Sequence, residues 1–175
     1  MGIFSFKGHR PNIHPSAYIA EGVQIVGDVT IDEDASVWFN SVIRGDENPV
    51  IIGRRTNIQD RSVIHTGFGH STHIGEDVTV GHGATVHSAT IEDLVLIGIN
   101  AVVLDGATVG WGSVIAAGTV VLEGQAIPPR SFVVGVPGRV VRQVTDEHLR
   151  RLREAAETYV QRQRDYKASV RRLDS

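Results

Sequence analysis

The chain has 175 residues, 41 % hydrophobic and 21 % charged, the composition of a soluble globular protein long enough for one continuous core. A formal net charge of −3 argues against nucleic acid as a partner, because phosphate recognition needs a strongly basic surface. With no cysteine there is no disulfide framework and no thiolate metal site, so a transition metal would have to be held by imidazole or carboxylate. No stretch reads as a membrane span, Phe6 stands where a myristoylation signal wants Ser or Thr, and a cytoplasmic location is expected.

Aliphatic residues then recur every sixth position. Ile13, Ile19, Ile25, Ile31, Val37 and Ile43 form one run, Ile52, Ile58 and Ile64 a second, and Ile74, Val80 and Val86 a third. From Ile91 the period continues through Ile97, Val103, Val109, Ile115, Val121 and Ile127 to Val133. A period of six is neither helical nor that of a simple strand. It marks a solenoid whose repeats stack to bury one shared core, here an all-β left-handed parallel β-helix of hexapeptide repeats. Small or β-branched residues four positions after the aliphatic, such as Ala17, Ala35, Thr56, Ala84 and Ala101, suit tight corners. The frame breaks at three places: nine residues separate Ile43 from Ile52, ten separate Ile64 from Ile74, and five separate Val86 from Ile91. The two long spacings are expected to be loops expelled from the coil, where function tends to sit.

After Val133 the pattern stops, and Gly135-Val136-Pro137-Gly138 reads as a turn leading out of the solenoid. A helix follows, with Thr145 as N-cap, Asp146 and Glu147 in its first turn, and Leu149, Leu152, Ala156, Tyr159, Gln163, Tyr166 and Val170 on one stripe packed against the β-helix. The expected organisation is a β-helix over residues 1–142, with repeats over about 13–138, and a C-terminal helical element over 143–175.

Five of the eight histidines fall between His65 and His87. With three hexads per coil, Ile43, Ile64 and Val86 stack, so Arg44, His65 and His87 share an outward column bordered by Val26 below and Leu104 above. Successive rungs of such a stack lie ~4.8 Å apart, close enough for two imidazoles to chelate one ion. Ile58 and Val80 define a column on another face, carrying Gln59 then Gly81 and, one position on, Asp60 then His82 between Phe39 and Ile99. A corner of the prism separates His82 from the other two. In a cyclic homotrimer a neighbouring subunit can supply it, joining His65 and His87 of one chain to His82 of the next. Three neutral imidazoles with one open position are the donor set of a catalytic zinc, which brings the pKa of bound water to ~7.

Arg44-Gly45-Asp46-Glu47, Asn57-Ile58-Gln59-Asp60, Ile64-His65-Thr66 and Gly81-His82-Gly83-Ala84-Thr85-Val86-His87 resemble the γ-class carbonic anhydrase family of hexapeptide-repeat proteins over nearly the whole chain, especially its short bacterial and archaeal members, some described as phenylacetate-pathway or ferripyochelin-binding-like proteins. The resemblance implies His65, His82 and His87 as ligands of zinc, iron(II) or cobalt, and an ion pair of Arg44 with Asp60 across the subunit boundary. It further implies that Gln59 orients a bound hydroxide, that Asp46 and Glu47 occupy acidic motif positions, and that Tyr159 approaches the site from the helix. The implied reaction is reversible hydration of carbon dioxide to bicarbonate by attack of metal-bound hydroxide.

One departure concerns proton export. The family's archetype carries a long acidic loop with a glutamate shuttle after the first ligand, whereas Thr66-Gly67-Phe68-Gly69-His70-Ser71-Thr72 is short and has no acid. His70 or His73 is a candidate replacement, since imidazole titrates near neutral pH. Two alternatives differ in kind: a metal-binding trimer serving as an assembly subunit or thioester hydrolase, and a hexapeptide acyltransferase, which would not need the three histidines with Arg44 and Gln59 beside them.

Overall fold

The computed structural model describes residues 1–173; Asp174 and Ser175, the end of the expected C-terminal element, lie outside the described residues. The chain winds into a left-handed parallel β-helix of triangular section with one helix laid along it. Each hexad gives a strand of about two residues, and each strand pairs in parallel with its equivalent one coil away. The first face stacks Val63–His65, Thr85–His87, Val102–Val103 and Val120–Val121. The second stacks seven rungs: Tyr18–Ile19, Ser36–Val37, Asn57–Ile58, Thr79–Val80, Leu96–Ile97, Val114–Ile115 and Ser131–Val134. Thr72–Ile74, Thr90–Ile91, Thr108–Val109 and Ala126–Ile127 form the third.

Two positions of each hexad point inward, the aliphatic and the small residue four places later, and three aliphatic ladders meet in the core. Ile43, Ile64 and Val86 from the first face, Ile58, Val80 and Ile97 from the second, and Ile52, Ile74 and Ile91 from the third are all fully buried. Burying each such side chain contributes ~1.5–3 kcal/mol, and the stack shares the burial among neighbours, so no coil has a closed core of its own. Glycine after the aliphatic is a steric requirement: a Cβ at Gly98 would lie 2.5 Å from the Ala117 nitrogen in the adjacent rung.

Two features differ from the sequence expectation. Residues Val42–Ile52 form one eleven-residue strand rather than an expelled loop. It runs with Gln24–Ile31 around the corner between the first and third faces, and the extra residues enter as a register shift opposite Gly27 to Val29. The backbone there is well satisfied, as the Asn48 amide donating to Thr66 Oγ1 at 3.1 Å illustrates. Only the second long spacing is a true loop, closed by a Gly67–His70 bridge with Phe68 exposed at its tip. The other difference is Arg139–Gln143, a strand that folds back antiparallel on Ser131–Val134. Its five residues are all exposed, so no apolar alternation marks it, although Arg142 lies 3.8 Å over the Phe132 ring.

The helix Asp146–Ser169 starts at Thr145, whose side chain accepts from the His148 amide. At ~1.5 Å per residue, its 24 residues span about 36 Å, against about 29 Å for the six gaps between seven rungs. It can therefore run the length of the solenoid, and it lies on the second face. Leu149 and Leu152 pack on Leu94, Val114 and Val144 near one end. Near the other, Gln163 Nε2 donates to the Asp34 carbonyl at 3.0 Å. Ala156 and Gln163 are fully buried, Tyr159 and Tyr166 half-buried, and Val170 is an exposed C-cap, so the stripe ends at Tyr166.

Candidate metal centre

On the first face Arg44 pairs in register with His65, and His65 with His87. The stacking places the rings side by side, with His65 Nδ1 3.0 Å from His87 Nε2. The outer nitrogen of each ring meets a carboxylate. His65 Nε2 lies 3.0 Å from Asp46 Oδ1, and His87 Nδ1 makes a short hydrogen bond to Asp105. If each carboxylate takes the N–H facing it, both neutral rings present bare lone pairs to one another. Arg44 Nη2, 3.4 Å from His65 Nδ1, relieves this only weakly. Two facing lone pairs repel unless a cation lies between them, so the pair suits a metal. Burial, reinforced by Arg44 and His87, holds the His65 pKa below the ordinary imidazole value against the pull of Asp46, which favours the neutral ring a ligand must be. Burial pushes Asp46 upward, but hydrogen bonds from Arg44 and His65 outweigh it and keep the carboxyl below its ordinary range.

On the second face His82 Nδ1 lies 2.7 Å from Asp60 Oδ2, one rung below. Here too a carboxylate fixes one ring nitrogen and frees the other. Gln59 is buried beside them, its amide nitrogen donating to Asn57 Oδ1 at 3.2 Å, while Asn57 donates to Thr79 Oγ1 at 2.9 Å. This chain of amides clamps the Gln59 side chain. Tyr159 reaches the same place from the helix, packing edge-on against Trp38, and burial raises the pKa of its phenol despite nearby Arg162. Together with Asp60 and His82 it lines a pocket of about 160 Å³ between helix and solenoid.

Among the described residues, no group of three histidine, aspartate or glutamate side chains within one chain could hold a metal. The structure brings His65, His87, Arg44 and Asp46 together on one face, and His82, Asp60, Gln59 and Tyr159 on another. Arg44 is bonded to Asp46 and Asp60 to His82, so no contact joins Arg44 to Asp60 within the chain. Glu47 is exposed and lines a separate cavity of about 150 Å³ with Asp46, Asp28 and His9. His70 is exposed beside Gly106, and His73 is exposed on the third face. Sequence reasoning overlooked Asp105, although a signal existed. It stands directly after Leu104, the residue one coil above His87 in the same column.

The family described as bacterial transferase hexapeptide (six repeats) matches residues 88–123, and hexapeptide repeat of succinyl-transferase matches residues 49–88. A carbonic anhydrase of Geobacillus kaustophilus is 43 % identical over 95 % of this chain and 91 % of its own length. A probable carbonic anhydrase of Methanocaldococcus jannaschii is 49 % identical over 85 % of this chain and 93 % of its own. The chain belongs to the γ-class carbonic anhydrase-like hexapeptide-repeat family. Among solved structures, a hexapeptide transferase family protein from Anaplasma phagocytophilum superposes with a TM-score of 0.91 at 34 % identity, covering 94 % of this chain and 98 % of that one. The γ-class relatives and this transferase-named structure therefore share the solenoid, and side chains must separate the chemistries.

Proposed function

We propose that this chain is a γ-class carbonic anhydrase, interconverting carbon dioxide and bicarbonate at a metal ion held by His65 and His87 of one subunit and His82 of the next in a homotrimer. The observation that carries this reading is that each of the three imidazoles has one nitrogen fixed by its own carboxylate, Asp46, Asp60 or Asp105, and keeps the other clear of any carboxylate. Carbonic anhydrase relatives at 43 % and 49 % identity support it. So do the apolar borders of the two columns, Val26 and Leu104 on one and Phe39 and exposed Ile99 on the other, which suit a subunit boundary.

Nitrogen donors without sulfur suit zinc, with iron(II) or cobalt as other occupants of the same set. When bound, the metal supplies a Lewis acid that brings the ionisation of water to near-neutral pH. The chain's residues supply the rest. Arg44 offers a guanidinium fork to bicarbonate and, across the boundary, to Asp60 of the neighbour. The clamped Gln59 amide orients a reacting oxygen, and the Tyr159 phenol, which burial keeps protonated and which accepts from Arg162, keeps its own O–H for an oxygen in the pocket. An exposed group then passes the proton to solvent, for which Glu47 beside Asp46, His70 and His73 are the candidates.

The direct experiment is elemental analysis of protein purified without oxygen, coupled to stopped-flow carbon dioxide hydration. About one metal per chain is expected, with hydration lost on chelation and regained on reloading. Stoichiometric metal without hydration would refute the enzymatic reading and leave a metal-binding trimer.

A further inference from the structure

We infer that the N-terminal end of the solenoid docks on an anionic lipid surface, with Ile3, Phe4 and Phe6 entering the interface and Lys7 and Arg10 meeting the headgroups. The core ladders run out at this end. Ile3 pairs in register with Ile25, Ile13 with Ile31 and Ile19 with Val37, and no strand lies beyond Gly2–Phe4, Asn12–Ile13 or Tyr18–Ile19 among the described residues. Ile25 is fully buried, whereas Ile3 is 50 % exposed and Phe4, one rung beyond Val26, is 49 % exposed. The opposite end is closed on two faces, where the turn over residues 135–138 bonds Val120 and Arg139–Gln143 covers the edge of Ser131–Val134. Next to the open end, Phe6 and His9 close a tight turn through two backbone hydrogen bonds of 3.0 and 2.9 Å, with Lys7 and Gly8 at positive φ between them. Residues 3–10 are all exposed, and a Cβ at Gly8 would meet nothing within 4 Å, so the turn projects instead of packing.

Charge chooses the surface. Residues 1–20 hold Lys7, Arg10, His9 and His14 and no acid, although the chain has 20 acids in all. The next two along the chain are engaged, Glu21 by Arg172 and Asp28 by His9 at 3.6 Å. The helix returns to this end and adds Lys167, which donates to the Ser16 carbonyl. A second copy stacked end to end would bring like charges together. An acidic protein would match the charge but would need pockets for the projecting side chains. Anionic lipid offers negative headgroups and an apolar layer that yields to a convex tip. In the homotrimer proposed above, the cyclic axis sets three such ends on one side, so weak single contacts reinforce one another.

The test is co-sedimentation of the full chain with vesicles, which needs neither metal nor turnover, so its failure is distinct from failure of the hydration assay. Saturable binding is expected to phosphatidylcholine vesicles containing about a third phosphatidylserine, weakened by salt and roughly tenfold weaker on phosphatidylcholine alone. Lys7→Glu combined with Arg10→Glu should weaken it by about tenfold or more, and Phe6→Ser by about tenfold, with thermal unfolding unchanged because all three positions are exposed. Absence of binding to the anionic vesicles, or equal binding to both kinds, would overturn the inference. Binding that Phe6→Ser leaves unchanged would rest on charge alone, as for an acidic protein, and would overturn lipid insertion. A doubled assembly in sedimentation of the parent, lost in Phe6→Ser, would give this end to a second copy instead.

Discussion

Asp105 offers a sharp test of how the fold prepares His87. Its carboxylate accepts from Nδ1, leaving Nε2 as the nitrogen that faces His65 at 3.0 Å. Asp105→Ala removes the acceptor and frees the imidazole to rotate and change tautomer. Loss of a partner that orients a metal-bound histidine typically costs 10–100-fold in affinity. Here the His87 and Asp105 side chains are 30 % and 37 % exposed, so water replaces part of the lost bond. The expected loss is therefore about tenfold, or about 1.4 kcal/mol. Asp105→Asn retains an acceptor without charge and should lose less. The assay is competition for cobalt or zinc against a chromophoric chelator, with thermal unfolding of the metal-free protein as control and Glu123→Ala as an exposed reference. Metal affinity for Asp105→Ala within twofold of the parent, with unfolding unchanged, would refute the orienting role.

His65→Ala, His82→Ala and His87→Ala should each abolish stoichiometric metal by elemental analysis, and full occupancy in any one would remove that histidine from the site. Arg44→Ala or Asp60→Ala should weaken assembly by up to ~3–5 kcal/mol, and the double variant should hurt less than either, as judged by sedimentation; intact trimers in all three would show the pair is not structural. Leu149→Ala, at a 5 % exposed position, should lower Tm by roughly 5–15 °C, and an unchanged Tm would mean the helix contributes little to the solenoid's stability. Replacing His70 by Ala should slow turnover at low buffer, with kcat/KM kept and imidazole restoring the rate; no change at low buffer would remove it from proton transfer.

The solenoid was legible because its core repeats: a strict spacing of six fixes rung register, and register decides that Arg44, His65 and His87 stack. Counting three hexads per coil likewise puts Asp60 under His82. The bulged strand through Asp46 to Pro49 was not legible, because an insertion looks the same in sequence whether it is expelled or absorbed around a corner. Arg139–Gln143 escaped because an exposed strand carries no apolar alternation. Asp105 was missed for another reason. Column counting follows residues in register, and its carboxylate reaches His87 from one position beyond the Leu104 column.

The shared site is the central claim, and subunit complementation tests it most directly. His65→Ala and His82→Ala chains are dissociated, mixed equally and reassembled, and bound metal is measured. A complete site then forms wherever a chain that keeps His65 presents its first face to a neighbour that keeps His82, which random cyclic assembly gives for about a quarter of sites. Recovery of roughly a quarter of the parent's metal is the predicted result. Recovery of none, with exchange of subunits confirmed by mass spectrometry, would contradict a site built from two chains.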